Sequence, residues 1–344
     1  MLKFARTLLY AAAITALTFS ASSCDASLFD SEGDCDVVHL IRFRYERNLK
    51  WADAFPSEVN SVNLYVFDGN GLFVKEYLGR GEALSSPDYH MELDLPAGDY
   101  KFVGWCGLGE MESFTVPQPV PGVTTLEELT CTLNAGQAAE TGAYSDEPLR
   151  FLYHGYLEET LADEQDGQHY EYVMDLTKDT NHIRIILQET AGEDMNAADY
   201  EIFIEDDNSF LAYDNSLREN GPVTYRPWFQ DAAELGVGKP EGGALQYVRG
   251  VYADLTLGRL MASHKDDLYL TIRNSSTKEP IARVPLLQYA LLSKKYYEEA
   301  YGHSMDEQEF LDREDEYVLT FFLVNRTWID SMIMVHSWRI SPND

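Results

Sequence analysis

The stretch VNLYVFDGNGLFVKEYL, residues 62–78, decides the local fold more clearly than any other part of the chain. Val62, Leu64 and Val66 recur at every second position, which is the period expected of a β-strand with one buried and one solvent-facing side. The turn that follows, residues 68–71, contains an Asn-Gly pair, which accepts the positive φ angles of a tight hairpin turn. The segment therefore predicts a β-hairpin.

The segments around this hairpin repeat the alternation of apolar and polar residues. Residues 89–95 alternate, Pro96-Ala97-Gly98-Asp99 predicts a turn, and residues 100–105 predict the next strand. With further segments at 37–45, 130–133 and 149–155, about seven short strands are expected before residue 157, and this spacing is typical of a sandwich of two sheets. Residues 134–148 and 157–168 are rich in small and acidic residues, so we expect a loop and a linker there.

The strand pattern restarts after residue 168. YEIFIEDDNSFLAYD, residues 200–214, has the order strand, acidic turn and strand, and it predicts a second copy of the hairpin. Further strands are expected at 169–176, 182–189, 246–257, 267–274, 316–324 and 331–340. The expected fold is mainly β, with one sandwich over residues 36–160 and a second, tandem one over residues 161–344.

The second sandwich is expected to carry a helix. Pro285 suits the first turn, apolar residues follow at steps of three and four as far as Tyr301, and Gly302 is expected to end the helix. A capping box at residues 304–307 predicts a short second helical segment within MDEQEFLD, residues 305–312.

The first 23 residues have the layout of a secretory signal peptide, with a basic start, an apolar stretch of about a dozen residues and a small-residue end. That stretch is shorter than the roughly 20 residues that a helix needs to cross a bilayer. Cleavage after Ser23 would leave Cys24 as the first residue. Small residues before this cysteine favour a lipoprotein signal, with acyl chains on Cys24, over an ordinary signal with an incidental cysteine. Residues 24–35 would then form a tether.

The charge of the chain is strongly acidic. The sequence has 26 basic and 58 acidic residues, for a formal net charge of −32. Such a surface repels nucleic acid and anionic lipid, so no nucleic-acid partner is expected. The acidic residues are spread along the chain, which is typical of a solvated exterior.

The remaining cysteines are Cys35, Cys106 and Cys131, so at least one cannot pair within the chain if Cys24 is acylated. Cys106 and Cys131 lie in predicted strands and are the candidates for a disulfide, which an exported location permits. The spacing does not decide between a bridge and two free thiols, because a disulfide needs a specific Cα separation.

Motifs for catalysis, metals or cofactors are absent from the sequence. It has no GxSxG, HExxH or P-loop motif and no cysteine and histidine spacing typical of zinc. The eight histidines are scattered; His90, His182 and His336 fall in predicted strands. Residues 68–71 and 205–208 resemble pieces of a calcium loop but lack its twelve-residue spacing. An enzyme is not expected, nor is a metal or a cofactor.

Several segments together resemble the FimB-type fimbrial anchor proteins, which are minor subunits of the type V pili of some Gram-negative anaerobes. The resemblance begins with Cys24, followed by acidic chain and Cys35. It continues through VNLYVFDGNGLFV (62–74), LDLPAGDYKFVGWCGL (93–108), TNHIRIIL (180–187) and SMDEQEFLDREDEYVLTFFL (304–323).

The resemblance implies two transthyretin-like sandwiches in a surface-exposed outer-membrane lipoprotein that holds a fimbria and helps set its length. Asp25 and Asp30 are similar to the acidic signal that directs such lipoproteins to the outer face. The implied partners are fimbrial shaft subunits, joined by strand addition, and outer-membrane lipid, through acylated Cys24. Shaft subunits of this kind lose their first strand when a protease cuts after an arginine.

The first predicted strand of this chain contains Arg42 and Arg44, and Arg47 follows it. The anchor hypothesis predicts that this strand stays in place. A processed stalk or tip subunit that polymerises is the first alternative. A surface glycan-binding lipoprotein is the second, and it would be favoured if Tyr225, Trp228 and Phe229 clustered on an open surface.

Overall fold

A computed structural model describes residues 37–109, 113–140, 142–162, 169–190, 194–237, 246–335 and 338–340. The predicted signal peptide and tether, with Ser23, Cys24 and Cys35, lie outside the described residues, as does His336. In chain order the strands are β1 (Val38–Arg44), β2 (Ser61–Asp68), β3 (Phe73–Arg80), β4 (Met91–Leu93), β5 (Gly98–Cys106), β6 (Phe114–Thr115), β7 (Thr130–Leu133), β8 (Gly136–Ala138), β9 (Gly142–Ser145), β10 (Tyr153–Leu161), β11 (His169–Asp175), β12 (Thr177–Lys178), β13 (Asn181–Glu189), β14 (Tyr200–Asp206), β15 (Phe210–Ala212), β16 (Val223–Tyr225), β17 (Phe229–Val237), β18 (Gln246–Leu257), β19 (Tyr269–Asn274), β20 (Pro280–Pro285), β21 (Glu316–Val324), β22 (Thr327–Val335) and β23 (Trp338–Ile340). The α-helices are α1 (Phe55–Glu58), α2 (Leu286–Tyr301) and α3 (Glu307–Arg313).

Two sheets form the first sandwich. One has the strand order β11-β1-β4 and the other the order β12-β10-β5-β2-β3. The core between them, which we call the first core, includes Ile41 and Phe43 of β1, Val62 and Leu64 of β2, and Met174 of β11. Alternate residues of each strand point into this core, so the period of two in the sequence becomes a continuous apolar layer.

Two six-stranded sheets form the second sandwich. Their orders are β17-β18-β13-β21-β22-β23 and β20-β19-β14-β16-β9-β8, and a small sheet, β15-β7-β6, lies beside them. Ile183, Ile185 and Leu187 of β13 pack with Ile202 and Ile204 of β14 in the second core. The predicted fold class, mainly β with sandwiches and few helices, is therefore confirmed.

The predicted hairpin at residues 62–78 is confirmed. β2 pairs antiparallel with β3 from Ser61 opposite Arg80 onward. Gly71 has a φ of 78°, and the Asp68 carboxylate accepts hydrogen bonds from the backbone N–H groups of Asn70 and Leu72 at 2.9 and 3.0 Å. The Asp68 side chain thus accepts hydrogen bonds from the backbone N–H groups of the turn, and the glycine of the Asn-Gly pair adopts the positive φ angle that the turn requires.

The prediction that β2 has one solvent-facing side was wrong. Val62, Leu64 and Val66 belong to the first core, while Tyr65 and Phe67 belong to the second core. Trp105 and Val103 of the neighbouring strand β5 also face the second core. The two sandwiches therefore share a central sheet, whose strands β2 and β5 direct side chains into both cores.

The second hairpin predicted at residues 200–214 was also wrong. β14 and β15 both form, but β14 pairs with β16 and β19, whereas β15 pairs with β7. The acidic segment between them, which includes Asp206, Asp207 and Asn208, leads the chain from one sheet to another. The match to the first hairpin was local and did not extend to the pairing.

Strand pairing also moves the boundary expected after residue 160. β11 pairs in parallel with β1 over seven residues, and β12 pairs with β10, so residues 169–178 belong to the first sandwich. The region expected to be a loop, 134–148, contains β8 and β9, and β9 pairs with β16 of the second sandwich. The expected linker, 157–168, begins as the second half of β10.

The helix predicted from Pro285 to Tyr301 is confirmed as α2. Pro285 is its N-cap, and Gly302 ends it with a φ of 73° while its N–H donates to the Glu298 carbonyl at 2.8 Å. The second helical segment is α3, but its cap differs from the predicted one. Asp306, not Ser304, is the N-cap and accepts a hydrogen bond from the Glu309 N–H at 2.7 Å. Within the described ranges, no helix has the length and apolar character that crossing a membrane requires.

Candidate functional site

The first strand, β1, lies in the middle of its sheet. It pairs in parallel with β11 from Val38 opposite His169 to Arg44 opposite Asp175, and antiparallel with β4 from His39 opposite Leu93. β1 is therefore an interior strand over residues 39–41, where strands bond to it on both sides, and it pairs with β11 alone over residues 42–44.

The inward side chains of β1 hold it in place. Ile41 and Phe43 are fully buried in the first core. The Phe43 ring stacks against those of Phe55 and Tyr89, with centroids 5.8 and 6.4 Å away. Removal of β1 would leave these partners facing an apolar groove, so the strand is an integral part of the core.

The arginines near β1 lie outside the first core. Arg44 donates to the Asp175 carboxylate at 2.7 Å, and this bond raises the pKa of the guanidinium. Arg47 donates to the Thr177 hydroxyl at 3.3 Å and lies 3.8 Å from Asp312. Each arginine thus connects the first strand to a segment more than 100 residues away, although exposed pairs of this kind contribute little stability.

A buried charged cluster lies where the two sandwiches meet. We use this name for Asp179, Asn215, Arg259 and Asp312. Asp179 accepts a hydrogen bond from the Asn215 amide at 2.8 Å and lies 3.8 Å from Arg259. Arg259 donates two hydrogen bonds to Asp312, at 2.9 and 2.8 Å, and one to the Asn215 carbonyl at 2.6 Å. These residues come from four separate segments, so the cluster fixes how the segments pack.

Lys178 extends the charged contacts toward α1. Its ammonium group is almost fully buried, lies 3.5 Å from Glu58 and donates to Asp315. It also lies 3.7 Å from the centre of the Phe151 ring, within range of a cation–π contact. A buried lysine needs such partners because an unpaired charge would be costly to desolvate.

No sequence signal identified this cluster. Its residues are Asp, Asn and Arg of ordinary type, and they lie in turns after β12, β15 and β18 and in α3. The contacts join distant positions, 53 residues apart for Arg259 and Asp312 and 80 residues apart for Asp179 and Arg259. Only the tertiary structure brings them together.

Burial raises the pKa of Asp179 to about 7, against the opposing effect of Arg259 and Asn215. An aspartate in the unfolded chain titrates near 3.9. The folded state therefore binds this proton more tightly, and the stability that results is present below about pH 4 and is lost as the pH rises toward 7. Between pH 5 and 7, we expect the wild type to lose about 2 kcal/mol of unfolding free energy relative to Asp179→Asn.

Urea unfolding of both proteins at the two pH values measures this difference. His154 has the opposite effect, because burial lowers its pKa to about 4 and its contribution to stability grows as the pH rises toward 6.5. Since His154 is present in both proteins, the comparison isolates Asp179. Equal pH dependence in the two proteins would contradict the assignment.

The two cysteines considered for a disulfide are free. Cys106 lies in the first core and Cys131 in the second, on opposite sides of the shared sheet. Burial raises the pKa of both thiols. The bridge is therefore not formed, because the β5 alternation that turns Trp105 toward the second core turns Cys106 away from it.

The aromatic cluster of the glycan-binding alternative does not form as expected. Tyr225 is fully buried, and its hydroxyl donates to Asn208 at 2.6 Å. Trp228 and Phe229 are exposed, with ring centroids 6.1 Å apart, and Phe229 contacts Tyr252. Their planes are tilted by 54° and 34°, so the three rings do not form one flat platform.

In the part of the chain that the structure describes, no three His, Cys, Asp or Glu side chains are arranged to hold a metal ion. The described residues form packed sheets, a first strand with buried inward side chains, and the buried charged cluster between the sandwiches. The fold places this chain among mainly β proteins built of two packed sandwiches.

A family model covers most of the chain. The model described as "Mfa2: Fimbrillin-A associated anchor proteins Mfa1 and Mfa2" matches residues 31–344. The chain therefore belongs to this family of fimbrial anchor proteins, and the resemblance found in the sequence is confirmed. No curated protein sequence is a significant match.

Solved structures share the fold over most of the chain. A candidate adhesin from Bacteroides thetaiotaomicron VPI-5482 is 36% identical with a TM-score of 0.74, over 88% of this chain and 96% of its own. A structure from the same organism, named for candidate polysaccharide-binding proteins, is 26% identical with a TM-score of 0.72, over 89% and 98%. The fimbrial anchor protein Mfa2 from Porphyromonas gingivalis is 17% identical with a TM-score of 0.61, over 89% and 99%, which shows a shared fold. The family and these neighbours carry the names of fimbrial anchor, adhesin and polysaccharide-binding proteins and not of enzymes.

Proposed function

We propose that this protein is a lipid-anchored minor fimbrial subunit that attaches a fimbria to the outer membrane and helps control its assembly or length, without catalysis. Acyl chains on Cys24, exposed after cleavage at Ser23, would hold it to the outer leaflet at the cell surface. The support for the role comes from its family, and the support for the lipid comes from the signal-like sequence before Cys24.

The observation that carries the proposal is the position of β1. The strand pairs with β11 along its length and with β4 over three residues, and its inward side chains are buried, so it completes the first sandwich of the uncut chain. A subunit that keeps this strand leaves no groove for a donated one, and its lipid remains covalently joined to the fold through an uncut chain. Such a subunit suits the base of a fibre.

A shaft subunit would then join the anchor by strand addition at another edge. The strands that end the larger sheets of the two sandwiches, β3, β12, β17, β23, β20 and β8, are the candidates, and β1 is not among them. Backbone N–H and C=O groups on such edges bond to an added strand, and pockets for alternate side chains supply specificity.

The lipid attachment is tested with Cys24→Ala. We expect this variant to lose incorporation of an alkyne-tagged fatty acid and to move from the membrane fraction to the soluble fraction. The reason is that stable anchoring needs more than one acyl chain, and all of them would sit on this residue. Fractionation and labelling of cells measure the two effects.

Cys35→Ala is the matched control, because it removes a cysteine 11 positions away and leaves Cys24 in place. It should keep both the label and the membrane location. If Cys24→Ala stays labelled and membrane-bound, the lipid proposal fails.

The processed stalk or tip subunit is the main alternative, and the mass of the mature N-terminus separates it from the anchor. An acylated Cys24 supports the anchor, whereas a chain that starts just after Arg42, Arg44 or Arg47 supports a polymerising subunit.

Deletion of the gene, followed by electron microscopy, tests the role in assembly. Fimbriae that become long, shed or absent support it, and unchanged fimbriae contradict it.

A further inference from the structure

The loop that follows the first strand, residues 45–54, contains a backbone outlier. Trp51 has a φ of 53°, in the left-handed region that large side chains rarely adopt, and its side chain is 38% exposed. Such a conformation persists only where the surroundings enforce it. The contacts of this tryptophan show what enforces it.

The Trp51 ring is held by the two C-terminal helices and the turn between them. Its Nε1–H donates to the Tyr297 hydroxyl of α2 at 2.6 Å, and its ring stacks on His303 with centroids 4.2 Å apart. The Arg313 guanidinium of α3 lies 3.7 Å from the ring centre on a cation–π contact. Tyr297, His303 and Arg313 of the second sandwich therefore all contact Trp51 of the first.

The same helices also bond to the backbone of the loop. The Tyr297 hydroxyl donates to the Leu49 carbonyl at 2.5 Å, and Arg313 donates to the Glu46 carbonyl at 3.0 Å. Arg313 is itself fixed by two hydrogen bonds to Glu309.

The loop is bonded internally as well. The Asn48 amide donates to the carbonyls of Tyr45 and Ala52 at 2.9 and 2.8 Å, and the Asp53 carboxylate accepts from the N–H groups of Tyr45 and Phe55 at 3.0 Å. Hydrogen bonds thus occupy the carbonyls of Tyr45 and Glu46 before Arg47 and those of Asn48 and Leu49 after it.

We propose that the 45–54 loop is a latch. It binds the first strand to α2 and α3, and it protects the Arg47–Asn48 peptide bond from arginine-specific proteases. The Arg47 side chain is half exposed, so a protease could reach it. Asn48 and Leu49 on the other side of the bond are buried, and the carbonyls of Glu46 and Leu49 are occupied. Hydrolysis, in which water adds across this amide to give an arginine carboxylate and an asparagine amine, requires the loop to open first.

This latch deepens the proposed function, since retention of the first strand is what an anchor at the base of a fibre needs. The bonds after Arg42 and Arg44 are held by the pairing with β11, which extends to Arg44, and by the burial of Phe43 between them. The bond after Arg47 lies outside the sheet, so its protection depends on the loop and the helices.

The test is limited proteolysis of the mature protein with an arginine-specific endoproteinase, read by intact mass at the Arg47 site. We expect Trp51→Ala and Tyr297→Phe to be cut there at least about tenfold faster than the wild type. The first loses the stacked ring, and both lose hydrogen bonds that hold the loop closed. Trp228→Ala is the matched control, because Trp228 is also 38% exposed but lies far along the chain on the second sandwich; its rate at Arg47 should not change.

A second measurement needs no variant. Hydrogen exchange should find the N–H groups of Trp51 and Ala54 slow in the wild type, because they donate to the carbonyls of Asn48 and Tyr45 at 3.2 and 3.0 Å. Exchange at the rate of an unstructured peptide, or cleavage after Arg47 in the wild type as fast as in the two variants, overturns the latch. Neither result depends on acylation of Cys24, so failure of the latch and failure of the lipid anchor are separate outcomes.

Discussion

Replacing Arg259 with alanine is expected to lower the free energy of unfolding by about 3 to 5 kcal/mol. The guanidinium is the only cation of the charged cluster defined above, and it donates two hydrogen bonds to Asp312 and lies beside the fully buried Asp179. Its removal takes this cation from two buried carboxyl groups and leaves the half-exposed Arg47, 3.8 Å from Asp312, as a weaker partner. Removing one partner of a buried ion pair costs more than the pair itself contributes. Urea unfolding followed by circular dichroism measures the change.

Arg326→Ala is the control for this experiment. Arg326 also pairs with an aspartate, Asp199, at 3.4 Å, but its side chain is half exposed. Its loss is expected to change the unfolding free energy by less than about 1 kcal/mol. If Arg259→Ala is no more destabilising than Arg326→Ala, the charged cluster does not hold the sandwiches together.

Replacing Phe43 with alanine should have an effect of similar size, about 3 to 5 kcal/mol. Phe43 is the largest apolar side chain of β1 in the first core, and its ring stacks between Phe55 and Tyr89. Truncation removes the buried ring and leaves a cavity that the neighbouring strands cannot close. The same urea unfolding gives the value.

Two further variants make this result specific. Phe43→Leu keeps most of the volume and is expected to be milder, at less than about 1.5 kcal/mol. Phe229→Ala removes a ring that is partly exposed at the start of β17, and it should change stability by less than about 1 kcal/mol. A small effect of Phe43→Ala would mean that β1 contributes little to the core, and the argument for a retained first strand would lose its physical basis.

Local features of the fold could be predicted from neighbouring residues. The β2–β3 hairpin follows from apolar residues at every second position and from an Asn-Gly turn. Helix α2 follows from apolar steps of three and four and ends where Gly302 adopts positive φ. Both depend on backbone angles and on contacts between residues close in the chain, so the sequence contains the necessary information.

The pairing of distant strands could not be predicted in the same way. The segment 200–214 has the pattern of a hairpin, yet β14 and β15 pair with different strands. The alternation of residues predicts a solvent-facing side for Tyr65 and Phe67, yet the second sandwich packs against them. In each case the local pattern was satisfied, and a contact from elsewhere in the chain decided the outcome.

The sequence by itself determined the strand period, the main hairpin, the long helix and the family, because these are set by residues near one another and by the order of segments along the chain. The tertiary structure alone decided that β1 lies between β11 and β4, that Cys106 and Cys131 face different cores, and that Asp179 and Arg259 meet at a buried junction. These features join residues tens to more than a hundred positions apart. Their free energy depends on burial and on partners that become neighbours only when the sheets pack.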